Sequence, residues 1–226
     1  MIRLAPFSAV VFDMDGTLLD TEMVFRDVFY EVISGMGLSL DDNVYAHIVG
    51  TSHEVTHGIL ANAFGAHFSY QDFDAECRRI MGERMETAVP VRPGVPELLG
   101  ELAARGIPAA VATSSRRVHA LAHLGTAGIL DRFRTVVARD DVNAPKPHPE
   151  PYLTAAKRLG VAPADCLAIE DSPTGVMSAH GAGMQTVMVP DIVKPTADIA
   201  ALCVAVMDSL HDLRSAAFGR HMTASA

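Results

Sequence analysis

Apolar residues along this chain follow two alternating patterns. Short runs at 9–12, 107–112, 135–138, 166–169 and 185–189 have the length and side chains of buried strands. Residues 202–206 offer a last strand. Between these runs, segments 95–104, 117–124, 150–159 and 174–182 repeat apolar positions at helical spacing. Strands that alternate with helices predict a parallel sheet with helices on both faces. One stretch breaks the rhythm. After the first strand, segments 23–38, 41–49, 52–64 and 70–87 all carry helical spacing, with no convincing strand among them. Residues 21–90 therefore read as an inserted helical cap, leaving 1–20 and 91–226 as a discontinuous α/β core. The small-residue stretch 216–226 is expected to fray.

Composition agrees with a folded globule. The 226 residues are 49% hydrophobic and 20% charged, enough apolar content to exclude global disorder. No run approaches the ~18 apolar residues of a membrane span. The start of the chain lacks the apolar core and cleavage site of a signal peptide, so a cytoplasmic location is expected. A net charge of −9 argues against nucleic acid as a partner, and no membrane partner is expected. Cys77, Cys166 and Cys203 are sparse and share no ligand spacing, which suits a reducing compartment. A monomer is expected.

Ligands of an open parallel sheet bind at the carboxyl ends of its strands. Polar residues follow the predicted strand ends here: Asp13, Asp15, Gly16 and Thr17 after the first, Thr113, Ser114 and Ser115 after the second, Glu170 and Asp171 after 166–169. Lys146 stands in a loop between Pro145 and Pro147. Each group alone has a plainer reading: a strand-end turn, a helix N-cap, a solvated lysine, a helix start before Pro173. Gathered at one edge, four carboxylates repel one another and call for a cation. An all-oxygen donor set suits a hard ion, and Mg²⁺ pairs a few carboxylates with substrate phosphate. One aspartate can then attack phosphorus while a second, two residues on, handles the proton.

These residues carry a resemblance. Asp13-Met14-Asp15-Gly16-Thr17-Leu18-Leu19-Asp20-Thr21-Glu22 is similar to the first motif of the haloacid dehalogenase superfamily. Val111-Ala112-Thr113-Ser114-Ser115 resembles its second, Lys146-Pro147 its third, and Ile169-Glu170-Asp171-Ser172-Pro173-Thr174-Gly175 its fourth. The insertion after the first motif resembles the helical-cap subgroup of phosphoglycolate phosphatase and β-phosphoglucomutase. The resemblance implies a Rossmann-like parallel sheet core with an α-helical cap, and a Mg²⁺-dependent phosphatase acting on a small phosphorylated metabolite such as a sugar or polyol phosphate. It makes Asp13 the nucleophile and a metal ligand, and Asp15 the general acid/base with its carbonyl on the metal. Thr113 and the Ser114 N–H would hold phosphoryl oxygens, Lys146 would neutralise charge, Asp171 would bind Mg²⁺, and Glu170 would bind it directly or through water. Thr51, Ser52 and His53 are candidates for substrate selection.

Three alternatives stand beside this reading. Sugar phosphomutases of the β-phosphoglucomutase type carry a histidine in the helix after the first motif, where Phe25 or a near neighbour stands here. They also carry a basic residue where this chain has His53, in the loop Gly50-Thr51-Ser52-His53, and both differences favour hydrolysis. The run His53-Glu54-Val55-Thr56-His57 fits the zinc metalloprotease pattern HExxH. Its extended form fails, with Leu60 at the glycine position and Ala63 at the third histidine. A non-catalytic binding module is the third, although none of the catalytic aspartates is missing.

Overall fold

The computed structural model describes residues 4–48, 51, 53–65 and 68–219, with only the backbone of His53. The chain divides into two compact units, Met1–Asp20 with Pro90–Ala226, and Thr21–Val89. In chain order the elements are β1 (Ala9–Phe12), α1 (Thr21–Gly35), α2 (Asp42–Ile48), α3 (His53–Phe64), α4 (Tyr70–Thr87), α5 (Val95–Ala104) and β2 (Ala109–Ala112). Then follow α6 (Arg117–Thr126), β3 (Thr135–Val137), α7 (Glu150–Leu159), β4 (Cys166–Glu170), α8 (Pro173–Gly181), β5 (Gln185–Met188), α9 (Ala197–Ala201), β6 (Ala205–Val206) and α10 (Leu210–Phe218). Short 3₁₀ turns at Leu130–Arg132, Arg139–Asp141 and Pro163–Asp165 complete the connections.

The first unit is an α/β fold on a parallel sheet of order β3-β2-β1-β4-β5-β6. Strand order therefore reverses between β1 and β4, the point where such sheets open a crevice at their carboxyl edge. Phe12 pairs with Val111 on one side and Ile169 on the other, which brings the residues after β1, β2 and β4 to the same edge. Side chains of a strand alternate between faces, and the two faces differ in size. Ala9, Val11, Ala110, Ala112, Cys166 and Ala168 join one buried cluster with Tyr152, Ala155 and Ala156 of α7. Small strand residues let that helix lie close. Among the alternate residues, Val10, Phe12, Val111, Leu167 and Ile169 are all buried. Phe12 meets Phe133 edge-on, with ring centroids 6.0 Å apart.

The second unit is helical among its described residues. Val24, Val28, Phe29, Val32 and Ile33 form the buried stripe of α1, and α4 buries Phe73, Cys77 and Met85. Phe29 sits at the centre, 4.8 Å from the Phe73 ring and 5.4 Å from Tyr45. Within the first unit, the chain leaves after Asp20 and returns at Pro90, and the Asp20 N–H donates to the Pro90 carbonyl at 2.9 Å.

Differences from the sequence expectation have local causes. The strand expected over 107–112 starts at Ala109, because Pro108 has no N–H for the ladder, although its carbonyl accepts from Val10 at 3.0 Å. The strand expected over 202–206 shortens to Ala205–Val206, since Leu202 and Cys203 close the end of α9. The described part of the stretch 216–226, expected to fray, is ordered instead. Ala216 to Phe218 complete α10, which Ser209 caps by accepting from the Asp212 N–H. Phe218 then packs edge-on against Phe7 at 5.9 Å and beneath the Arg105 guanidinium at 4.7 Å. All three cysteines are unpaired thiols. Among the described residues no helix is long and apolar enough to cross a membrane. Because β1 is the central strand and Phe12 is fully buried, Phe12→Ala should cost about 3–5 kcal/mol of stability. Urea denaturation would measure it, and a loss below about 1 kcal/mol would contradict this view of the core.

Candidate active site

The site begins where β1 ends. Asp13 continues the ladder for one bond, its N–H donating to the Ile169 carbonyl at 2.9 Å, and the chain then turns away. The turn is tight: Leu18 and Leu19 both donate to the Met14 carbonyl, and Gly16 donates to that of Leu19. Met14 is buried beneath it. Gly16 has φ +83°, and a Cβ there would lie 2.5 Å from Asp171 Oδ2. Only glycine serves at this position, for backbone conformation and for the approach of the fourth-motif carboxylate.

Lys146 reaches this edge from its loop with a side chain only 4% exposed. Its Nζ lies 2.5 Å from both Asp13 Oδ1 and Glu170 Oε1. Glu170 ends β4 and is wholly buried. Its Oε1 accepts from Lys146 and from the Tyr152 hydroxyl at 2.6 Å. Its Oε2 accepts from the Asp171 N–H at 3.2 Å and from Ser172 through Oγ at 3.1 Å and N–H at 3.4 Å. A Cβ on Gly175 would fall 1.8 Å from this carboxylate, so the first turn of α8 must be bare at that point. Asp171 accepts from Thr17 Oγ1 at 3.2 Å.

The loop after β2 supplies the hydroxyls. Thr113 is buried, and its Oγ1 accepts from the Ser115 N–H at 3.0 Å. Ser114 is exposed just ahead of α6. Ser115 donates through Oγ to Asp15 Oδ2 at 2.7 Å. Asp13, Glu170 and Asp171 thus come together, with one carboxylate oxygen of each within 4.8 Å of the others. Asp15 stands apart from that trio and faces the β2 loop. Sequence reasoning passed over Tyr152, whose place on the apolar stripe of α7 with Ala155 and Ala156 reads simply as core.

In the second unit, Thr51 bonds the Ile48 carbonyl and Thr56 Oγ1. Gly50, Ser52 and the His53 side chain lie outside the described residues. His57, of the HExxH pattern, stacks on Tyr70 at 4.6 Å. Among the described residues, the strand-end trio is the one group of acid, His or Cys side chains close enough to hold a metal ion.

Electrostatics favour a further cation at that trio. Burial is the main influence raising the Asp13 carboxyl well above its ordinary range; Lys146 opposes it, while Glu170, Asp171 and Asp15 reinforce it. Burial and then Glu170 push Asp171 up to about 7, against Lys146 and the Thr17 hydrogen bond. Burial works against the Lys146 ammonium too, but Asp13 and Glu170 together hold its pKa above the usual lysine range. One ammonium therefore faces several carboxylates that it does not fully offset. Oxygen donors alone line the trio, and the residues fit a hard divalent ion. Glu170 differs from its neighbours, since two donors already occupy one of its oxygens and three the other.

A pH prediction follows from Asp171. Its carboxyl titrates near 7 when folded and near 3.8 in its ordinary state. The folded, metal-free protein thus holds this proton the more tightly, and stability is lost as pH rises through that window. Asp171→Asn removes the titration. Without divalent metal this variant should melt above the parent at pH 8, with the gap closing toward pH 4. A gap that is constant with pH would overturn the assignment.

Comparison with known proteins agrees with this geometry. Residues 10–189 match the haloacid dehalogenase-like hydrolase family. The protein YhcW of Bacillus subtilis is 36% identical over 83% of this chain and 86% of its own length. A phosphorylated carbohydrates phosphatase of Thermotoga maritima is 32% identical over 79% of this chain and 83% of its own. The crystal structure of a family hydrolase from Deinococcus radiodurans R1, with bound phosphate and sodium, superposes with a TM-score of 0.81 at 30% identity. That match covers 94% of this chain and 96% of the other. With four motifs in order, the parallel sheet that gathers them and these relatives, the chain belongs to the haloacid dehalogenase-like hydrolases.

Proposed function

We propose that the protein is a Mg²⁺-dependent phosphatase that releases inorganic phosphate from a small sugar or polyol phosphate through an aspartyl-phosphate on Asp13. The observation that carries this reading is the buried Lys146 ammonium shared between Asp13 and Glu170, with Asp171 beside them. A carboxylate oxygen held by an ammonium in a desolvated site is oriented for attack, and the same cation attracts a phosphoryl group. The Thermotoga relative named for phosphorylated carbohydrates supports the substrate class. The Deinococcus structure, which holds phosphate, supports the ligand.

In this mechanism an Asp13 oxygen bonds to phosphorus as the ester P–O bond breaks. Asp15 gives its proton to the departing oxygen. It then takes a proton from water, whose oxygen bonds to phosphorus as the Asp13–phosphorus linkage breaks, and phosphate leaves. Thr113 Oγ and the Ser114 N–H, ahead of α6, hold phosphoryl oxygens, a role that helix N-termini favour. Asp13 and Asp171, with the Asp15 carbonyl, would hold Mg²⁺. Bound there, the ion would draw off charge that develops on the phosphoryl oxygens. Glu170, with both oxygens filled, holds Lys146 and the backbone of 171–172 rather than the ion. The helical unit 21–89 acts as a cap that selects the substrate. With its thiols unpaired, the enzyme works in the cytoplasm.

Phosphate release over a panel of phosphometabolites, with and without Mg²⁺, tests this directly. Sugar or polyol phosphates should be hydrolysed, and chelation should abolish the activity. Asp13→Asn should lower the rate at least about a thousandfold. Near-normal turnover in that variant would remove the aspartyl-phosphate route. Conversion of a hexose 1-phosphate to the 6-phosphate with no free phosphate would replace hydrolysis with a mutase.

A further inference from the structure

The Asp15 carboxylate does not join the Asp13, Glu170 and Asp171 trio. It is held instead by a residue from a loop one hundred positions away. Ser115 Oγ donates to Asp15 Oδ2 at 2.7 Å, and among the described residues it is the hydrogen-bond donor to that side chain. Ser115 is half-buried, and its own backbone is tied at both groups. The Ser115 N–H donates to Thr113 Oγ1 at 3.0 Å, and its carbonyl accepts from the Arg139 N–H at 2.9 Å. Two residues on, the Arg117 N–H donates to the Asp140 carboxylate at 2.8 Å, which pins the start of α6. The hydroxyl is thus mounted on a fixed stretch of backbone and faces Asp15, which bridges to Leu19 at the base of the turn through residues 16–18.

A general acid that later acts as a base must keep one orientation through both protonation states. A hydroxyl donor to one carboxylate oxygen meets that need. Oδ2 accepts the Ser115 proton whether Asp15 is ionised or carries its own proton on Oδ1. The hydrogen bond thereby divides the two oxygens. Oδ2 is the anchored one, and Oδ1 is the one that gives and takes protons. Ser115 lies next to the phosphoryl-binding pair Thr113 and Ser114, so the anchor sits on the loop that would hold the reacting group.

We propose that Ser115 is a positioning residue for proton transfer, its hydroxyl fixing Asp15 so that Oδ1 meets the leaving oxygen of the ester. The inference rests on the phosphatase reading and deepens it. Its signature is dependence on the leaving group. An alkoxide cannot depart without a proton, whereas p-nitrophenolate can. A mispositioned acid therefore slows alkyl esters selectively, and a loss of packing or of phosphate contact slows both alike.

The test compares kcat/KM for glycerol 3-phosphate and p-nitrophenyl phosphate in the parent, Ser115→Ala, Ser115→Thr and Asp15→Asn, all with Mg²⁺. Ser115→Ala should lose about 10- to 100-fold on the alkyl ester and no more than about threefold on the aryl ester. The loss should fall in kcat rather than KM. Ser115→Thr, which keeps the hydroxyl, should recover most of it, and the melting temperature should be unchanged in all variants. Equal losses on both esters, or a rise in KM alone, would show that Ser115 acts on the phosphoryl group or on packing, and would overturn the proposal. If Asp15→Asn discriminates between the esters and Ser115→Ala does not, only the role of Ser115 falls. If Asp15→Asn fails to discriminate as well, the acid role of Asp15 falls and takes this inference with it.

Discussion

One buried ammonium ties this site together. Lys146 Nζ bridges Asp13 at the end of β1 and Glu170 at the end of β4, the two strands between which the sheet reverses its order. Charges taken out of water are expensive unless paired and hydrogen-bonded, and breaking one partner of such a pair leaves an uncompensated buried charge. The surroundings read as consequences of that constraint. Tyr152 and Ser172 complete the coordination of Glu170, and Gly175 leaves room for its carboxylate. Gly16 lets the β1 turn approach Asp171. The small residues of β1, β2 and β4 let α7 come close enough to place the Tyr152 hydroxyl under the lysine.

The same interaction explains how an acidic protein can serve an anionic substrate. A net charge of −9 describes the whole surface. At the strand ends, one lysine meets more carboxylates than it can neutralise, and burial raises the cost of each unpaired charge. A divalent ion at the proposed site would reverse the sign locally and let a phosphoryl group approach carboxylates that would otherwise repel it. The carboxylates most raised by burial are those best served by a metal.

Much of this was legible in the chain. Apolar runs and helical spacing marked the alternation, and most boundaries in the core moved by one or two residues only. The carboxylates, the lysine and the hydroxyls stood at strand ends, where topology alone brings them together. What stayed hidden depends on three-dimensional partners. Tyr152 obeys the helical stripe of a core residue, and only the position of Glu170 gives its hydroxyl a role. The spacing of Ser115 could place it near the phosphate but not against Asp15. The helices α9 and α10 were not expected at all: α9 is only five residues long, and the end of α10 falls in the small-residue stretch taken for a frayed tail. Pro108 trimmed β2 through a missing donor rather than through its apolar pattern.

The central claim is that the charge imbalance around Lys146 is completed by a divalent cation at Asp13 and Asp171. Calorimetric titration of Mg²⁺ into the substrate-free protein tests it most directly, repeated near pH 7 in buffers of different ionisation enthalpy. The account predicts one ion per chain, bound with release of protons from carboxyls that burial has raised, Asp171 near 7 among them. Absence of saturable binding, or binding with no proton release, would contradict it.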